Sequence, residues 1–525
     1  MARFQRRTAR GNRSGRPRRG QHEDKVERPA PGGAGRLPAA LGAGGDRALP
    51  GPEGAARPRI SPEPALPRRG SAKVPPVRVG ERYPVRIEDL DAAGDGVGRV
   101  HQFVVFVPGT VPGDEAVVEI SAVEKRHARG HLVTLLVPSP DRVEPPCPVA
   151  GRCGGCQLQA LAYPAQLRWK ERRVRDALRR IAGLDGVPVL PVRGMAYPWR
   201  YRNKAQYPLA AVGGQIAMGF YARGTHDIVE AGDCLIQDPL NVEVAALARS
   251  LLDLHGVPVY DETTGEGVVR HVAVRASRWH RTAMVVLVTN GPDLPHREAI
   301  VAGLAAHPRV VSVVQNINPR RTNVIFGDET RVLWGAAHLE DRIGSVRFLI
   351  SPRSFFQVNG VQVEVLYEQV RQDAGLTGSE RVLDAYCGVG TIALYLAGAA
   401  REVVGIESVP EAVADAERNA RHNGIANARF HVGLVEDVLP RLVQQGERFD
   451  VAVLDPPRRG CEPAVLEILA RARVPRLVYV SCHPESLARD LARLSALGYD
   501  TEQVQPVDMF PMTTHVESVA CLRRR

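Results

Sequence analysis

The chain has 525 residues with 50 Gly, 41 Pro and a formal charge of +11, and residues 1–70 carry 16 Arg/Lys against 6 Asp/Glu. Residues 71–525 carry 53 against 52, so most of the chain is near neutral and can attract a polyanion only through local patches. No run of 18 apolar residues occurs and no apolar segment opens the chain, which excludes a membrane-spanning helix, argues against a secretory signal and points to a cytoplasmic protein without a membrane partner.

Residues 1–70 contain 12 Gly, 10 Pro and few large apolar side chains, too little apolar surface to offset the entropy of ordering. They read as a disordered basic tail. Its functional reading is a polycation drawn to RNA by counterion release; its bland reading is a dispensable extension. Residues 72–137 follow as short alternating apolar runs separated by Gly, Pro and Asp, the spacing of a small five-stranded barrel of oligonucleotide-binding type. Within them DGVGRV, VFVPGTVPGDEAVVEI and the run ending in LVPSP resemble the TRAM domain, a small RNA-binding barrel.

Residues 138–344 form the next expected unit, of mixed strands and helices. Near its start Cys147, Cys153 and Cys156 crowd three thiols into a loop rich in Pro and Gly, and Cys234 lies further along. Four thiols at uneven spacing suit zinc or a [4Fe–4S] cluster, and the missing secretory signal argues against a disulfide scaffold. An Arg-rich helix follows (YPAQLRWKERRVRDALRRIAG), and Trp199, Arg200, Tyr201 and Arg202 offer aromatic and cationic faces for an unstacked RNA loop.

At this point the sequence resembles the RNA uridine-5-methyltransferase family whose members carry a TRAM domain and a [4Fe–4S] cluster, most of all the type that modifies 23S ribosomal RNA. The segments YRNKAQYP (Tyr201–Pro208) and GFYARGTH (Gly219–His226) belong to the resemblance, which runs from about Pro75 to the C-terminus. It implies that Cys147, Cys153, Cys156 and Cys234 ligate the cluster, zinc being the lesser alternative. It also implies an RNA partner, 23S rRNA first and the T-loop uridine of tRNA second, with no obligate protein partner evident.

Residues 345–525 alternate strand and helix, the pattern of an α/β, doubly wound, Rossmann-like methyltransferase domain. In RVLDAYCGVGTIALYLA (Arg381–Ala397) a buried strand runs into a Gly-rich turn. Gly388 and Gly390 there allow a ligand close to the backbone. Glu407, ending the next strand, can accept both hydroxyls of a ribose, and no third Gly opens the helix for a pyrophosphate, so the pocket fits S-adenosylmethionine better than a dinucleotide. The resemblance adds Gln357, Tyr386, Thr391 and Asp455 to the cofactor contacts, with two departures: the family often has Asn where Thr391 stands, and a polar residue near Gly433.

FDVAVLDPPRRG (Phe449–Gly460) is a buried strand ending in Asp-Pro-Pro, and PRLVYVSCHP delivers Cys482 at the carboxyl end of the next strand, where ligands sit in such sheets. A helix opened by Pro484 and the neighbouring His483 are expected to lower the Cys482 thiol. Carbon 5 of uracil is a poor nucleophile until a thiolate adds at carbon 6, and a base must then remove the carbon-5 hydrogen. The stretch DMFPMTTHVES (Asp508–Ser518) matches the family's DMFP-x3-H-x-ES pattern and makes Glu517 that base, with Asp455 and Arg458 as orienting groups and His515 as either a structural or a direct participant. Three rivals are weaker. A cytosine-5-methyltransferase would place Cys after its Asp-Pro-Pro turn, where Arg458 stands. An amino-group methyltransferase would place an aromatic there. A non-catalytic iron–sulfur RNA-binding protein needs neither Cys482 nor Glu517.

Overall fold

Five strands close into a barrel at the start of the described chain: β1 (Arg82–Leu90), β2 (Gly96–Val100), β3 (Phe103–Val107), β4 (Glu115–Val123) and β5 (His127–Val137), hydrogen-bonded in the order β1-β2-β3-β5-β4. The computed structural model describes residues 75–525, so the basic tail expected over residues 1–70 lies outside the described residues. Period-two burial builds the barrel: Tyr83, Val85 and Ile87 point inward with Val105, Val107, Val118 and Ile120. At Gly98 a Cβ would stand 2.3 Å from a Val85 methyl and 2.7 Å from the Arg86 carbonyl, so only glycine lets these strands approach. Buried Asp114 fastens the barrel to the following segment by accepting from Arg142 Nη2 at 2.6 Å and from the Ser139 and Val111 N–H groups. Burial alone would raise its carboxyl; the guanidinium and the two N–H donors hold it below its usual range.

Helix α1 (Tyr163–Ala177) comes next and ends in one π turn, Leu178–Ala182. The central unit then contributes β6 (Lys204–Val212), β7 (Gln215–Tyr221), β8 (Ile228–Glu230), α2 (Pro239–Leu254), β9 (Val269–Ala276), β10 (Ala283–Thr289), α3 (Arg297–Ala305), β11 (Val310–Ile317) and β12 (Glu329–Gly335). These strands form one seven-stranded sheet, β12-β11-β10-β9-β6-β7-β8, in which only β10 and β11 run parallel. A hairpin of β13 (Leu339–Ile343) and β14 (Val346–Ile350) leads out of it.

The last unit runs α4 (Gln362–Ala374), β15 (Arg381–Asp384), α5 (Thr391–Ala397), β16 (Glu402–Glu407), α6 (Pro410–His422), β17 (Ala428–Val432), α7 (Val435–Gln444), β18 (Val451–Leu454), α8 (Pro463–Arg471), β19 (Arg476–Ser481), α9 (Pro484–Ala496), β20 (Tyr499–Val507) and β21 (Glu517–Arg524). Its sheet order is β17-β16-β15-β18-β19-β21-β20. Five strands are parallel, and β15, β16, β18 and β19 bury apolar side chains toward both faces because helices cover each. To the doubly wound sheet expected from the sequence the structure adds one feature: β21 inserts antiparallel between β19 and β20, because β20 returns through a loop rather than a crossover helix.

Candidate active site and cysteine cavity

The carboxyl ends of β15, β16, β18 and β19 open on a cavity of about 750 Å³. Gln357, Tyr386, Gly388, Glu407, Asp455, Arg458, Cys482, His515 and Glu517 all line it. Two of the expected cofactor contacts do not: Thr391 starts α5 with its hydroxyl accepting from Tyr367 Oη at 2.8 Å, and Gly390 is the cap residue before it. The turn itself is a cradle. Gly388 has φ +53° with open space where a Cβ would project, and its N–H donates to Glu407 Oε2 at 3.2 Å. Glu407 Oε1 accepts from the Val409 N–H at 2.9 Å, which aims the carboxylate along the cavity wall. Gly433, where the family has a polar neighbour, lines the cavity together with Leu434 and Glu436.

Register explains why the other end of the cavity is reactive. In the antiparallel ladder Arg476 faces Arg523 and Ser481 faces Ser518. One step further sets Cys482 opposite Glu517, the cross-strand relation in which side chains project from the same face. Asp455, one residue past β18, joins them from the neighbouring strand.

This crowding reverses one expectation. The Cys482 thiol is pushed up to about 11, first by burial and then by Glu517 and Asp455, with Arg458 opposing. His483 does not act on the thiol: its Nδ1 caps α9 by accepting from the Ser486 N–H at 3.3 Å, and its Nε2 lies 3.4 Å from Glu485. Burial and the Asp455 charge raise Glu517 to about 8 against Arg458, and burial raises Asp455 to about 7. Arg458 is therefore the cation that favours ionisation of both the thiol and Glu517. Its Nη2 lies 3.0 Å from His515 Nδ1, and His515 is pushed down to about 4 by burial and then by Arg458, so the imidazole is neutral. Arg458→Gln should shift the pH–rate profile to the alkaline side, with a loss of about tenfold at pH 7.5 that shrinks by pH 9; initial rates across that range check it.

The aromatic segment also needs correction. Tyr201, expected to stack on RNA, is 5 % exposed and its hydroxyl donates to the Pro511 carbonyl at 3.0 Å. Arg200 is spent on a bidentate pair with Asp233. Only Arg202 reaches the cavity. Sequence reasoning passed over Phe510, which lines the cavity, and Asp384, which is raised to about 7 by burial and Asp455 and accepts from the Ala393 N–H at 3.0 Å. The acid that ends β15 was a signal for the second.

The four cysteines come together as well. Cys147, Cys153, Cys156 and Cys234 are unpaired, half-buried, and line a single cavity of about 530 Å³. The Gly155 N–H donates to Cys153 Sγ at 3.4 Å, and burial pushes the Cys156 thiol up to about 12 and raises Cys153 and Cys234. These four are the residues that would hold the metal group expected from the sequence. Among the described residues no group of three or more His, Cys, Asp or Glu side chains is placed so that it could hold a metal ion.

Known proteins show the same organisation. Residues 376–505 match the family described as a methyltransferase domain, and residues 76–133 match the TRAM domain. An RNA methyltransferase of Halalkalibacterium halodurans is 49 % identical over 448 residues, 85 % of this chain and 98 % of that one. One from Listeria innocua is 44 % identical over 436 residues, 83 % and 96 % of the two chains. The crystal structure of a Pyrococcus abyssi tRNA (uracil-54, C5)-methyltransferase with S-adenosyl-L-homocysteine is 30 % identical, covers 84 % of this chain and all of that one, and has a TM-score of 0.67. A methyltransferase domain behind a TRAM barrel agrees with these relatives, and the chain belongs to the S-adenosylmethionine-dependent RNA methyltransferases that carry a TRAM domain.

Proposed function

We propose that this enzyme methylates carbon 5 of a uridine in RNA, with Cys482 as nucleophile and Glu517 as base. The observation that carries the reading is the register that sets a thiol and a carboxyl group on one face of one cavity. Cys482 gives its proton to water and the thiolate sulfur bonds to carbon 6, while the C5–C6 π electron pair moves toward the carbon-4 oxygen, which makes carbon 5 nucleophilic. S-adenosylmethionine, when bound, supplies an electrophilic methyl group on a sulfonium centre for that carbon. Glu517 then takes the proton from carbon 5, the C5=C6 bond re-forms, and the sulfur leaves. Thiol and acid both rest protonated near neutral pH in the ligand-free cavity, and a cation brought beside them lowers both. Gln357, Tyr386, Gly388, Glu407 and Asp455 hold the methyl donor in this reading, with Gly390 and Thr391 shaping the turn beneath it.

The substrate is 23S rRNA on the combined presence of the cysteine quartet and the barrel. The likeness to a tRNA (uracil-54, C5)-methyltransferase favours the T-loop uridine of tRNA as second reading. Mapping 5-methyluridine by mass spectrometry in rRNA and tRNA from a deletion strain tests both: one uridine reverts to unmethylated, and its position names the substrate. Full methylation of both RNAs in that strain would refute the reading.

Cys147, Cys153, Cys156 and Cys234 hold a [4Fe–4S] cluster in this account, supported by four unpaired thiols on one cavity. The group would order the loops that hold RNA. Protein purified without oxygen should be brown with broad visible absorbance, and Cys153→Ser should lose both colour and iron. Colourless protein carrying stoichiometric zinc would contradict the assignment.

A further inference from the structure

The cation that opposes the two carboxyl groups at Cys482 sits on the loop between β18 and α8, and a loop by itself does not fix a charge. Just beyond Arg458 this loop is fastened at two points to α9, the helix that begins two residues after Cys482. The Cys461 N–H donates to Asp490 Oδ2 at 2.8 Å, and Arg489 Nη2 donates to the Arg459 carbonyl at 2.5 Å. Between these points the Gly460 N–H closes a turn by donating to the Pro457 carbonyl at 2.8 Å. Gly460 has φ +85°, and a Cβ there would stand 2.3 Å from Asp490 Oδ2, so the backbone runs directly over the carboxylate.

Asp490 is buried, and both of its oxygens are occupied. Oδ2 also accepts from Tyr479 Oη at 2.6 Å, and Oδ1 accepts from Arg489 Nε at 2.9 Å and Nη2 at 2.8 Å. Donors meet both oxygens, so the place suits a carboxylate; an amide would turn its own N–H toward one of them. Tyr479 is fully buried, and the Cys461 thiol beside it hydrogen-bonds with Tyr479 and with Tyr386 of the cofactor wall. The charged groups that face the Cys482 thiol are Glu517 from β21 and Asp455 and Arg458 from the loop after β18. On the thiol's own segment His483 pairs with Glu485, which also pairs with Arg173 of α1. Arg458 is the cation among those acting on the thiol.

We propose that Asp490 is a positioning residue for the methyl transfer: through the Cys461 N–H and Arg489 it holds the loop after β18 so that Arg458 stays beside Cys482 and Glu517. The proposal rests on the reading of Cys482 as nucleophile. Helix α9 then sets both ends of one distance, since it starts from the thiol and carries the acid that fixes the cation. Without the tether the guanidinium is free to turn to solvent, and the thiol keeps its two carboxyl neighbours with no opposing charge.

Alkylation of the full-length protein by iodoacetamide across pH, read on the Cys482 peptide by mass spectrometry, tests this without RNA. Asp490→Asn should slow alkylation at pH 8.5 by about three- to tenfold, the effect of raising the thiol by about half to one pH unit. Arg458→Gln should slow it by about tenfold, and Arg458→Gln/Asp490→Asn no further, because both changes remove one charge from one place. Arg489→Met, at an exposed side chain whose place water can take, removes one of the two tethers and should slow alkylation by a smaller factor. A merely structural role for Asp490 would open the cavity and speed alkylation. Faster or unchanged alkylation in Asp490→Asn, or losses that multiply in the double variant, would overturn the proposal. If Asp490→Asn does not fold, Arg489→Met decides in its place, and a rate equal to wild type overturns it. A protein whose Cys482 reactivity depends on Asp490 but which forms no covalent adduct with 5-fluorouridine RNA ends the uridine-C5 reading and leaves the positioning role standing; adduct without that dependence does the reverse.

Discussion

Glu517→Gln should attack and methylate its RNA and then fail to release it. Without a carboxylate to take the carbon-5 proton, the sulfur–carbon bond at Cys482 persists, and turnover falls by about 10²–10⁴, the usual contribution of a positioned base. Intact-mass spectrometry of the denatured protein should find RNA bearing the new methyl group attached to the chain. The same substitution should raise stability. Glu517 is pushed up to about 8 in the folded protein, against about 4.3 in an unfolded chain, so its stabilising effect is complete below the unfolded value and is lost as pH rises through the folded one. The gain from Gln is therefore absent at pH 4 and largest at pH 8 and above, on the order of 2 kcal/mol or about 5 °C in Tm. A variant that turns over normally, or one whose melting temperature is unchanged at pH 8, would remove Glu517 from this role.

Lys170→Met should be the most destabilising single change outside the cavity. Lys170 and Asp508 are both fully buried, and Lys170 Nζ donates to Asp508 Oδ1 at 2.6 Å and to the Phe510 carbonyl at 3.1 Å. Tyr163 adds a hydrogen bond to Asp508 Oδ2 at 2.9 Å, and Arg173 donates to the Thr514 carbonyl at 2.8 Å. Helix α1 thus clamps the loop that carries Phe510 and His515 and leads into Glu517 at the start of β21. The N–H groups of Gln157 and Leu158, immediately after Cys156, both donate to the Met512 carbonyl at 3.0 Å, so the cysteine segment grips the same loop. Removing one partner of a buried pair strands the other charge, at about 3–5 kcal/mol. Thermal denaturation should show a fall of about 10 °C for Lys170→Met, with at least half recovered in Lys170→Met/Asp508→Asn. Equal losses in the single and double variants would mean that the charge pair is not what holds the loop.

The sequence carried the local features of this site and missed those set by packing over long separations. Cys482 was legible because a fully apolar strand must end at the cleft of an α/β sheet. The Gly388 turn was legible because a buried strand ran into glycines, and the cysteine quartet because of its spacing. The raised thiol of Cys482 was not legible, since its causes are burial and then two carboxyl groups from β21 and from the end of β18. Tyr201 looked like a stacking platform, and nothing local shows that its ring packs with Ile236 and Met512. The antiparallel insertion of β21 was hidden because its apolar run, SVACL, looks the same in either direction. Yet that insertion is what sets Glu517 opposite Cys482.

The most direct test of the central claim uses RNA in which the target uridine is replaced by 5-fluorouridine. Fluorine cannot leave carbon 5 as a proton, so a Cys482 adduct that has accepted a methyl group has no route to elimination. With S-adenosylmethionine present, wild-type protein should form one denaturation-resistant RNA adduct per chain, and Cys482→Ala should form none. Absence of the adduct in the wild type, or an undiminished adduct in Cys482→Ala, would contradict the account.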